Sequence, residues 1–206
     1  MNDLPREITA LTVYCASSTR IDESYHEIAR RFGELMGERG LDLVYGGGRV
    51  GLMGTLAKTC RAHGSRVTGI ITERLRDLEQ LDEENDENLV VRTMRERKAL
   101  LEDRGDAMVV LPGGFGTLEE FFEILVGRHL GEHENPICLL NTLDHHEGEG
   151  RYYDPLLSMI DHMVDNRFAS EDTRDLFSVH ETPEGLIGAL MDPSIGLTGT
   201  GSGAER

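Results

Sequence analysis

Ala107-Met108-Val109-Val110-Leu111-Pro112-Gly113-Gly114-Phe115-Gly116-Thr117-Leu118-Glu119-Glu120 reads as a buried strand, a glycine turn and the start of a helix. The first five residues are apolar without alternation, as a strand covered on both faces requires. Pro112 ends the run, and Gly113, Gly114 and Gly116 allow a sharp turn and close approach of the backbone to a ligand. The helix is expected from Leu118 to about Leu130, with Thr117 and Glu120 at the spacing of a capping box. Free N–H groups at such a helix start make the turn a candidate phosphate cradle. A carboxylate in the first helical turn is favoured as the anion. Glu120 is therefore a candidate charged group at the rim of that cradle.

Working outward, the same unit recurs along the chain. Strands are expected at Leu11–Ala16, Leu41–Tyr45, Val67–Ile71, Leu89–Val91, Ala107–Leu111, Pro136–Leu140 and Leu176–Val179. Between them lie helix-length segments: Glu23–Arg39, Leu52–Ala62, Met94–Glu102, Leu118–Leu130, Tyr152–Val164 and Pro183–Met191. The charged stretch Thr72–Asn88 reads as a long loop with at most a helical turn. Strands alternating with helices imply a parallel sheet covered on both faces. The expected architecture is an α/β, Rossmann-like, doubly wound sheet of about seven strands in one domain, residues 1–192. Residues 193–206 read as a flexible Gly/Ser/Thr-rich tail.

Ligands of such sheets bind beyond the carboxyl ends of the strands, so three further turns matter. Gly46-Gly47-Gly48-Arg49-Val50-Gly51 follows the second strand and matches G-x-G-x-x-G, with Glu73 after the next strand as an acid for a dinucleotide ribose. That fingerprint normally follows a first strand, and a tight strand-to-helix turn explains the glycines equally. Thr93-Met94-Arg95-Glu96-Arg97-Lys98 follows the fourth strand, and Thr93 with Glu96 forms a capping box. Its position singles out Arg97 as functional. Ser17-Ser18-Thr19 after the first strand offers hydroxyl donors, or else helix caps.

Composition narrows the partners. The 206 residues carry 38 acids against 21 bases, a formal charge of −17. Nucleic acid and anionic membranes are repelled by such a surface. A phosphate site must then be local, built from amides and a few cations. No apolar run approaches the roughly 20 residues that span a bilayer, and Met1–Thr9 lacks the apolar core of a signal peptide. The cysteines, Cys15, Cys60 and Cys138, sit in apolar runs and read as buried, reduced thiols of a cytoplasmic protein.

The three motifs together, Gly46–Gly54, Met94–Ala99 and Pro112–Glu120, resemble the LOG (Lonely Guy) family of cytokinin riboside 5′-monophosphate phosphoribohydrolases. Members are often labelled lysine decarboxylases. The likeness runs from the first strand to about Phe168 and includes Leu130–Pro136 and Tyr152–Leu157. It implies a Rossmann-like homodimer that hydrolyses the N-glycosidic bond of an AMP-type nucleotide, without metal or redox cofactor. It implies Arg97 and Glu120 as the catalytic pair. Glu79, Lys98, Gly113, Gly114, Gly116 and Thr117 would contact substrate, joined by Gly47, Gly48 and Ser17 from the other turns. Arg95 stands where the family commonly has His, Gly127 where many members have Trp, and His129 where Gln is common.

Rival readings make distinct demands. A decarboxylase using pyridoxal phosphate needs a Schiff-base lysine, and the chain has only Lys58, in mid-helix, and Lys98, beside Arg97. A nicotinamide dehydrogenase would rest on the Gly46–Gly51 turn. A non-catalytic carrier of nucleotide or molybdenum cofactor would keep a glycine turn but not the Arg97 and Glu120 pair. His129 and His133, with His145-His146, offer a weak metal pattern that lacks cysteine or carboxylate partners.

Overall fold

The computed structural model describes residues 7–78, 80–144 and 150–192. Glu79, His145, His146 and the 193–206 tail lie outside the described residues. Among the described residues, seven strands form one parallel sheet: β1 (Ala10–Tyr14), β2 (Asp42–Tyr45), β3 (Val67–Thr72), β4 (Glu87–Val91), β5 (Ala107–Val110), β6 (Ile137–Leu140) and β7 (Ser178–His180). Their order is β4-β3-β2-β1-β5-β6-β7. The order reverses at β1, whose Val13 pairs with Tyr45 on one side and Val109 on the other. The crevice for a ligand is therefore expected at the carboxyl ends of β1 and β5.

Among the described residues, seven helices cover the sheet: α1 (Glu23–Glu38), α2 (Gly51–Ala62), α3 (Glu73–Leu78), α4 (Met94–Arg104), α5 (Phe115–Leu130), α6 (Asp154–Asp165) and α7 (Pro183–Met191). Successive strand residues point to opposite faces, and the two cores follow that alternation. Leu11, Val13, Leu43 and Tyr45 pack with α1, α2 and α7. Tyr14, Val44, Met108 and Val110 pack with α4, α5 and α6. The doubly wound expectation holds. The charged stretch after β3 contains the six-residue α3, and β4 starts two residues earlier than expected. An edge strand leaves its faces half-covered, so Glu87 and Asn88 are tolerated there.

Two capping expectations part ways. Thr93 caps α4 with a complete box, its side chain accepting from Glu96 N–H while Glu96 reaches back. The Thr117 and Glu120 box does not form. Helix α5 begins at Phe115 with Gly114 as its N-cap, which puts Thr117 inside the helix. Glycine tolerates the cap conformation and has no side chain to offer, so α5 opens with backbone alone. Nor do Ser17 or Ser18 cap α1; Asp22 does, accepting from Ser24 N–H.

Candidate active site

Three turns meet beyond the carboxyl ends of β2, β1 and β5. Arg97, on the second turn of α4, is buried, 6 % exposed. Its Nε donates to Ile70 O at 2.9 Å and its Nη2 to Gly46 O at 3.4 Å, tying α4 to the middle of β3 and the end of β2. A Cβ on Gly46 would strike the guanidinium. The glycine there is explained by this close approach of Arg97. Arg97 Nη1 lies 3.3 Å from Glu120 Oε1, and the two side chains are 7 % and 14 % exposed. The capped start of α4 and the open start of α5 thus bring the predicted pair together. Tyr14, at the end of β1, is buried beside them; burial and then the Glu120 charge push its hydroxyl well above the ordinary range. Sequence reasoning missed Tyr14, although its place at the end of the central strand was a signal.

The two glycine turns differ in how their backbone is used. At the Gly46–Gly51 turn, Leu52 N–H, in the first turn of α2, donates to Ala16 O at 2.9 Å. Gly51 packs against the backbone of Ala16 to Ser18. Residues 80–82 stitch onto the same turn, Arg49 N–H donating to Gln80 O and Asp82 N–H to Gly47 O, both at 2.9 Å. Gly47 and Gly48 are buried in this arrangement, and Glu73 is exposed on α3. The start of α2 is thus covered by the β1 turn, which works against a pyrophosphate seat and the dehydrogenase reading.

At α5, by contrast, Gly114, Phe115 and Gly116 are exposed, and Gly113 and Thr117 are buried against one another. A Cβ on Gly113 would collide with the Thr117 side chain. A cleft of about 170 Å³ opens beside the turn, lined by Ser18, Tyr25, Leu52, Gly113, Gly114 and Tyr152 among others. Ser17 is exposed next to it. A helix start carrying partial positive charge next to this cleft suits an anionic ligand group.

Other predicted residues fall further out. Lys98 is paired with Glu119 at 2.7 Å and Glu123 at 3.0 Å. The Glu119 hydrogen bond raises its pKa. His133 fills the space beside Gly127, its Nε2 2.8 Å from Ile124 O, and a larger residue at Gly127 would meet that ring. His129 and Arg95 are exposed. Among the described residues no group of three His, Cys, Asp or Glu could hold a metal. The three cysteines are buried free thiols, and burial pushes Cys138 up to about 11. No described helix is long and apolar enough to cross a membrane.

A doubly wound parallel sheet with a glycine turn at its switch point defines the Rossmann-like α/β class. Solved structures share it: the molybdenum cofactor binding protein of Rippkaea orientalis superposes with a TM-score of 0.65 at 18 % identity, covering 89 % of this chain and 96 % of that one. The molybdenum cofactor carrier protein of Chlamydomonas reinhardtii gives 0.64 at 17 %, with the same coverage. At such identities the likeness shows the fold alone. Sequence relatives are nearer. A cytokinin riboside 5′-monophosphate phosphoribohydrolase of Rhodococcoides fascians is 40 % identical over 185 residues, covering 89 % of this chain and 90 % of that protein. The enzyme named LOG of Oryza sativa subsp. japonica is 40 % identical over 177 residues, covering 86 % and 70 %. Residues 53–190 match the family described as "Possible lysine decarboxylase". The chain belongs to this family, which includes the LOG phosphoribohydrolases.

The decarboxylase description would call for pyridoxal phosphate on a lysine. Lys58 is exposed midway along α2, and Lys98 is held by Glu119 and Glu123. Neither stands in a pocket that would desolvate an amine and lower its pKa for Schiff-base formation. The residues do not fit that cofactor.

Proposed function

We propose that the protein hydrolyses the N-glycosidic bond of an AMP-type nucleoside 5′-monophosphate, including N6-substituted cytokinin forms, to free base and ribose 5-phosphate. The carrying observation is the enclosed Arg97 and Glu120 pair beside the open start of α5. The names of the relatives support the same class of reaction.

The chemistry suits these groups. Cleavage sends the bonding electron pair out with the base, which takes up a proton, and leaves positive charge on the ribose. Glu120, as a carboxylate, stabilises that charge and accepts a proton from the water that attacks C1′. Arg97, with its Nη1 3.3 Å from Glu120 Oε1, fixes the orientation of that carboxylate. Amides of Gly113, Gly114 and Gly116, with Thr117, hold the 5′-phosphate, and this grip sets the ribose against Glu120. Ser17, Lys98, Gly47, Gly48 and Glu79 complete the proposed substrate contacts; Lys98 would exchange an acidic partner for the nucleotide. We place the enzyme in the cytoplasm as a homodimer.

The test is a panel of nucleoside 5′-monophosphates incubated with purified protein and read by chromatography for free base. Base release from AMP or an N6-substituted AMP is the expected result, and its absence across the panel contradicts the proposal. Sedimentation tests the dimer.

A further inference from the structure

The Pro112-Gly113-Gly114 turn is fastened at three successive carbonyls. Tyr153 Oη donates to Leu111 O at 2.7 Å, Ala16 N–H to Pro112 O at 3.2 Å, and Tyr152 Oη to Gly113 O at 2.8 Å. The two tyrosines precede α6, and they are themselves held. Tyr153 N–H donates to Asn141 Oδ1 at 2.7 Å, and Tyr152 N–H to Thr142 O at 2.9 Å. The Tyr152 ring stands edge-on to Tyr25 of α1, with centroids 5.6 Å apart. Burial raises the pKa of the Tyr152 hydroxyl, which keeps it a donor.

A trans peptide holds each C=O antiparallel to the next residue's N–H. Fixing Pro112 O therefore aims Gly113 N–H, and fixing Gly113 O aims Gly114 N–H, each away from its tether. The tether at Leu111 O aims nothing, because Pro112 has no N–H. Two adjacent tyrosines thus make similar bonds with different consequences. A glycine pair has the widest conformational freedom of any dipeptide, so its amides stay aimed only while something holds them.

We infer that Tyr152 is a positioning residue, whose hydroxyl holds the Gly113–Gly114 peptide with its amide aimed at the substrate's phosphate. The inference rests on the proposed reading of that turn as the phosphate cradle. Neutral hydrogen bonds of this kind shift equilibria by roughly three- to ten-fold.

The experiment compares wild type, Tyr152→Phe and Tyr153→Phe. Inorganic phosphate binding is measured by titration calorimetry, KM and kcat with the best nucleoside monophosphate of the panel, and thermal melts throughout. Tyr152→Phe should weaken phosphate binding roughly three- to ten-fold and raise KM alike, with kcat moving less. Tyr153→Phe, which loses a buried bond of similar length, should lower the melting temperature and leave phosphate affinity in place. Equal phosphate affinity in wild type and Tyr152→Phe overturns the inference. So does an equal loss in both variants, which would mark a general loosening of the fold, and so does a wild type that binds no phosphate. A wild type that binds phosphate but releases no base would sink the hydrolase reading alone, and the calorimetry would still decide the role of Tyr152.

Discussion

Arg97 and Glu120 reach each other from two different helices, α4 and α5, with Nη1 and Oε1 3.3 Å apart and both side chains largely shielded from water. Arg97 is also bonded to Ile70 O and Gly46 O. The pair is asymmetric: the arginine is a structural tie with a charge, and the carboxylate is the more exposed end.

That asymmetry predicts different outcomes at the two positions. Glu120→Gln keeps an oxygen for Arg97, so the fold should persist while turnover drops by at least about 10²-fold, the usual worth of a positioned acid–base group. Arg97→Met removes the hydrogen bonds to Ile70 O, Gly46 O, Met94 Sδ and Glu120 Oε1, and the loss of this largely buried ion pair should cost about 3–5 kcal/mol of stability. Urea unfolding with parallel activity assays separates the two.

Gly113→Ala should damage the site without unfolding the sheet. The added methyl meets Thr117, and either the turn or the first turn of α5 must move. Overpacking of this kind costs about 1–3 kcal/mol, and nucleotide affinity should fall with it. An unchanged KM in Gly113→Ala would count against the turn as the phosphate seat.

The cap of α4 should be separable from the chemistry. Thr93→Ala removes the side-chain half of the capping box, with a loss of about 1 kcal/mol. Because Arg97 is anchored independently at Ile70 O, kcat should change little. Denaturant midpoints and initial rates check this.

Acid should loosen the platform that carries the tyrosines. Asp154 accepts from Asn141 Nδ2 and Arg151 N–H, at 2.8 Å each. The Asn141 bond first, then Arg151, hold its carboxyl below the ordinary range. A group whose folded pKa is depressed stabilises the fold above its unfolded pKa of about 4, and that stability is lost as pH falls through the folded value. Melting temperature should therefore fall on acidification below about pH 4. Asp154→Asn should be less stable near neutrality and lose less on going to acid.

The sheet was legible because its strands are uniformly apolar where both faces are covered, as at Ala107–Val110. The α4 cap was legible because a box is a local pattern. What failed was also specific. Thr117 and Glu120 have capping-box spacing, yet the chain becomes helical as soon as Gly114 permits, so a matching pattern three residues too late was misread. Arg97 could be picked out by its place after a strand. Its partners Ile70 O and Gly46 O could not, since no local pattern records which backbone a long side chain will meet. Tyr152 and Tyr153 were visible only as part of a family resemblance. Their bonds span 39 and 42 residues of chain, and such pairings exist only once the fold has formed. The pairing of Lys98 with Glu119 and Glu123 escaped notice for the same reason.

The most direct test of the central claim is chromatographic detection of free base from AMP and N6-substituted AMP, wild type against Glu120→Gln. Hydrolysis through Glu120 predicts equal amounts of base and ribose 5-phosphate with wild type, and folded but inactive Glu120→Gln. Undiminished base release by Glu120→Gln, or none by wild type, would contradict it.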